Sequence, residues 1–153
     1  MRTISFRKDI AIILTIAWMA IIFYLSHQPA ETSSELSGTL LQLLLTVTSI
    51  MPFSFDFDFV HFLIRKSAHF IAYFILGFLV FHTTRLFIKR NLLTVIIAFI
   101  ISILYAISDE YHQTFIPGRS GEVRDVLLDS FGSFTGIIVY ITIFYLIKRQ
   151  RMK

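Results

Sequence analysis

The sequence predicts an all-α, polytopic membrane protein: about four transmembrane helices plus an extracytoplasmic amphipathic segment. Three observations lead there. Of 153 residues, 56% are apolar and 16% charged, whereas a soluble domain carries about 25% charged residues. The mean hydropathy is +0.73. Four segments approach the roughly 20 helical residues that cross a hydrocarbon core of about 30 Å. Seventeen Phe cannot all be hidden in one small water-soluble core. A soluble globular enzyme and a disordered chain are thereby excluded. The absence of cysteine excludes a disulfide scaffold. The length leaves room for a single domain, residues 1–153.

The first span is expected near Phe6 to Leu25, with Arg7 and Lys8 snorkelling to the interface. Its basic start is like that of a signal peptide, but SHQPAE after it lacks a small-x-small cleavage site. A retained signal anchor is expected. Residues 30–64 are harder to read. Leu36, Leu40, Leu43, Val47, Ile50 and Met51 recur at helical spacing opposite Ser37, Gln42, Thr46 and Ser49. That pattern predicts an amphipathic helix, lying in the interface, capping the bundle or re-entering it. After Pro52, FSFDFDF (53–59) alternates with period two and predicts an extended stretch with one apolar face.

The second span is expected over Ser67 to Leu86, the third over Leu92 to Ile107 and the fourth over Val126 to Ile147. Gly132 and Gly136 form a GxxxG pattern in the fourth, the spacing that lets helices approach closely. Packing within the chain is the first reading of that pair; contact between two copies, giving a homo-oligomer, is the other. Gly77 in the second span has the same use.

Charge placement predicts orientation. Ten Lys and Arg, with the single acid Asp9, fall at the two termini and in the 87–91 loop with its flank. Four basic residues and nine acids fall on the opposite side, which together account for the net +4. Basic residues concentrate in cytoplasmic loops, so both termini are expected in the cytoplasm. Apolar segments separate the basic stretches, so no continuous groove for nucleic acid is formed.

Polar residues gather at the outer ends of spans two, three and four. Arg65, Lys66 and His69 share one helical turn. Asp109, Glu110, His112 and Gln113 follow span three, and Pro117, Gly118 and Arg119 predict a turn. Asp125 and Asp129 stand at i, i+4 at the start of span four. Ionisable groups in a span are costly and face the protein interior, a cavity or a partner. One reading is structural pairing with Lys66, Arg119 or Arg124. The other is a ligand site, in which Lys66 and Arg119 hold a phosphate or carboxylate.

Acid–base catalysis by His69 with Asp109 or Glu110 is the corresponding enzymatic reading. His69, His112 and Asp109 could converge on a metal, but HExxH is absent, so no metal and no cofactor are expected. Ser120 lies between two glycines as a turn residue, without a hydrolase signature. A transporter is disfavoured, because no polar line continues toward the cytoplasmic side beyond His82 and Thr83.

Three runs, RKSAHFIAYFILGFL (65–79), SDEYHQTFIPGR (108–119) and DVLLDSFGSFTG (125–136), resemble in order the VanZ-like family of small bacterial membrane proteins. The resemblance is strongest over 65–136. It implies a bundle of transmembrane helices in a bacterial cytoplasmic membrane. It also implies an association with resistance to the lipoglycopeptide teicoplanin, without an established reaction. The family pattern falls on Lys66, His69, Tyr73, Gly77, Asp109, Glu110, Gln113, Phe115, Pro117, Gly118, Arg119, Asp125 and Gly132. Two functions are expected from this. One is a non-enzymatic envelope protein, with membrane lipids as its partners, that binds a lipid-linked or peptidoglycan-related ligand at the outer face and lowers susceptibility to lipoglycopeptides. The other is an enzyme acting on such a lipid through His69, Asp109 and Glu110.

Overall fold

A computed structural model of the chain describes residues 2–29, 31, 38–39 and 57–152. Among the described residues, four long helices carry the fold: α1 (Arg2–Ser26), α2 (Phe57–Arg85), α3 (Asn91–Gln113) and α4 (Val123–Gln150). Each is long and apolar enough to cross a membrane. Among the described residues there is no strand.

The helices exceed the expected spans mainly at their polar ends. The second was expected from Ser67, yet α2 begins at Phe57. Residues 57–59, expected to be extended, are therefore helical. Phe59, Phe62 and Leu63 recur at helical spacing on an exposed face there, and this outweighs a short alternation. The rest of that motif, and nearly all of the expected amphipathic helix, lie outside the described residues. The third span was expected to stop at Ile107, but α3 runs on through SDEYHQ to Gln113. Its buried face continues without a break from Thr94, Ala98, Ser102 and Ala106 to Asp109, Glu110 and Gln113.

Neighbouring helices in the chain run antiparallel, so α1 and α3 end where α2 and α4 begin. The tightest pairing is between α2 and α4. Gly132 and Gly136 both face α2, and a Cβ at Gly132 would stand 2.6 Å from the Phe70 carbonyl oxygen. At Gly136 it would collide with the carbonyl of Phe74, and at Gly77 with the Ser133 backbone. Small residues let the two backbones approach within the chain. Ser133 Oγ adds a hydrogen bond to the Tyr73 carbonyl at 3.1 Å.

Helix α1 packs on α2 and α3. Trp18 Nε1 donates to the Ala72 carbonyl at 2.8 Å, and the Tyr105 hydroxyl donates to Met19 at 2.6 Å. Thr15 and Thr83 share a hydroxyl contact at 2.8 Å. Tyr73, Leu76, Ala98, Ala106 and Ile137 form the fully buried centre. Large apolar residues such as Leu92, Leu104, Leu127 and Phe131 point outward, as a lipid-facing surface requires.

Candidate functional site

The expected turn joins α3 to α4. Pro117 lies just past the end of α3, where it cannot continue a helix. Gly118 takes a φ of 73°, a left-handed conformation that glycine adopts without steric cost. Arg119 N–H then bonds the Ile116 carbonyl at 3.1 Å. This turn folds the polar end of α3 against the start of α4. The Glu122 backbone N–H, at the N-cap of α4, donates to Glu110 Oε2 at 3.0 Å. A carboxylate is favoured there by the positive end of the helix dipole.

From this junction a network reaches all four helices. Gln113 Nε2 donates to Glu110 Oε1 at 3.1 Å and to Asp109 Oδ2 at 3.4 Å. Its carbonyl accepts from Arg119 Nη1 at 3.2 Å. Arg119 also ties down the end of α1, donating through Nε to Gln28 at 2.8 Å and through Nη2 to Leu25 at 3.3 Å. Partial burial lowers the Arg119 pKa, and Asp109 is the main influence raising it. The Ser26 hydroxyl donates to Asp109 Oδ2 at 2.9 Å.

On the facing helices, Lys66 of α2 forms an ion pair with Asp125 of α4 and stands 3.7 Å from Glu122. One turn further along, His69 Nδ1 lies 3.5 Å from Oδ1 of Asp129. Asp109, Glu110, Gln113, Asp125 and Asp129 are all buried, Asp129 completely.

Eight of the nine residues singled out from the sequence thus meet at one end of the bundle: Lys66, His69, Asp109, Glu110, Gln113, Arg119, Asp125 and Asp129. Arg65 stays exposed at the rim. His112 turns away from the cluster, with Nε2 3.1 Å from Nδ1 of His27 and its ring stacked near Phe23. The metal trio considered from the sequence, with His69, His112 and Asp109, does not close. Ser26, Gln28 and Glu122 join the network without having been singled out. The polar run SHQ after the first span was the available signal for the α1 contribution.

The fold and the site define a small multi-pass membrane protein, with four candidate spans among the described residues and a buried, carboxylate-rich polar centre at one end. A family model described as VanZ/LLP1 matches residues 11–146, and the chain belongs to that family. The match takes in most of α1, from residue 11 on, which the sequence motifs alone had left at its margin. No curated protein and no solved structure matches.

Proposed function

We propose that the polar end of the bundle faces the outside of a bacterial cytoplasmic membrane and binds a cell-envelope lipid or a peptidoglycan-related ligand, lowering susceptibility to lipoglycopeptide antibiotics. The observation that carries this reading is the buried network itself. A chain of this size places four carboxylates, a histidine, a lysine and an arginine together where four helices meet. Burying so many charges is expensive, and simple packing can be achieved more cheaply with apolar residues. The excess of acids on this side of the chain supports the outward orientation. Exposed Arg65 stands at the rim, where an anionic headgroup would arrive.

A second reading has its own support. A histidine set against a buried carboxylate, with Glu110 beside it, is the arrangement that acid–base catalysis uses. The protein would then convert the lipid that it binds. Purified protein incubated with a panel of labelled cell-wall lipids separates the two. Retention of unchanged lipid supports the binder, product formation supports the enzyme, and retention of none of the panel removes both.

A further inference from the structure

We propose that His69, Glu110 and Asp129 form a binding site for one divalent transition-metal ion. The three residues come from α2, α3 and α4, and one donor atom from each lies within 4.8 Å of the other two. A tetrahedral ion bound at about 2.0–2.2 Å holds its ligand atoms about 3.3–3.6 Å apart. His69 Nδ1 and Asp129 Oδ1 already stand 3.5 Å apart.

The independent sign of a ligand is Asp129. It is wholly buried, and neither of its carboxylate oxygens accepts a hydrogen bond. Oδ1 of the neighbouring Asp109 is likewise buried without one. Buried carboxylates of this kind need a hydrogen bond or a compensating charge. The fixed cations nearby have other engagements: Lys66 with Asp125 and Glu122, Arg119 with Gln113 and the end of α1. Among the described residues, the one remaining cationic partner is His69 in its protonated form, 3.5 Å from Asp129 Oδ1; a divalent ion between Asp129, Glu110 and a neutral His69 supplies that positive charge in its place.

Glu110 is also held ready. Gln113 bonds one of its oxygens and the Glu122 backbone N–H the other. Such outer partners fix metal-binding carboxylates in place. One imidazole and two carboxylates suit zinc, manganese or iron, whereas calcium and magnesium prefer all-oxygen sets. Three protein ligands leave a coordination position open. The site shares side chains with the proposed ligand site but does not rest on that reading, because metal is measured without any lipid.

The full chain, purified in detergent, stripped with chelator and desalted, is exposed separately to Zn²⁺, Mn²⁺ and Co²⁺. Elemental analysis after gel filtration gives metal per chain, and the visible spectrum of the Co²⁺ form reports its geometry. The expected result is one ion per chain for at least one metal. Asp129→Asn and Glu110→Gln should each lose that ion while eluting as folded protein. Gln113→Ala should weaken binding about 10–100-fold, and Asp9→Asn, distant in sequence from the cluster, should bind as the parent does. If Asp129→Asn does not fold, Glu110→Gln and Gln113→Ala decide the matter. Folded parent protein that binds none of the three metals stoichiometrically overturns the proposal. So do folded variants that all hold metal as tightly as the parent.

Discussion

His69 Nδ1 faces Asp129 Oδ1 at 3.5 Å, linking α2 to α4 in the buried interior just below the Lys66–Asp125 ion pair. The Asp129 carboxylate accepts no hydrogen bond, so the imidazole is central to its electrostatic support. Removing one partner of a buried pair strands the other and costs about 3–5 kcal/mol. In chelator-treated protein, His69→Ala should therefore lower stability by about that amount. The double variant His69→Ala/Asp129→Asn should recover much of the loss, because no buried charge is then left alone. Thermal unfolding of the parent, the two single variants His69→Ala and Asp129→Asn, and the double variant checks this. Additive losses would show that the two residues are uncoupled.

The α2–α4 contact gives a second, steric prediction. Gly136→Ala drives a methyl group into the Phe74 carbonyl, which belongs to backbone and cannot rotate away. Folded protein in the membrane should fall sharply. Gly118→Ala should be milder, at about 1–2 kcal/mol, the usual cost of a left-handed conformation for a residue with a side chain. Quantitative blotting of membrane fractions and unfolding curves give the order of the two effects.

Conservative changes in the network separate function from folding. Asp109→Asn, Glu110→Gln and Arg119→Lys keep the size of each side chain close to the original and alter charge or fork geometry. Each should stay in the membrane near the parent level and lose any glycopeptide-resistance phenotype. If all three vanish from the membrane, the network is structural. If all three keep the phenotype, it is not the site.

Much of this was legible in the sequence, and the reasons differ between elements. Span identity followed from hydropathy, because lipid demands long apolar helices. The polar ends were harder. SDEYHQ reads as a loop by composition, yet Asp109, Glu110 and Gln113 are buried on a helical face that begins at Thr94. The pairing of His69 with Asp129, and the approach of Glu110 to both, join three different helices. No spacing along the chain encodes such a contact. The same holds for metal ligands: motif reading finds them when two lie on one helix, and here each comes from a separate one. Ser26 and Gln28 were missed because α1 was read as an anchor alone.

Orientation is tested by reporter fusions. Fusions at Lys153 and near Asn91 should report the cytoplasm, and one near Glu35 the outside, as the charge asymmetry requires. An outside signal at Lys153 would contradict the orientation.

The central claim is that the polar end is an outward-facing ligand site, and the absence of cysteine offers a direct probe of it. Arg65→Cys provides a unique thiol on an exposed rim position. A membrane-impermeant maleimide should label that thiol in intact cells, and added cell-wall lipid should slow the labelling of purified protein. Labelling only after permeabilisation, or a rate indifferent to every lipid in the panel, would contradict the account.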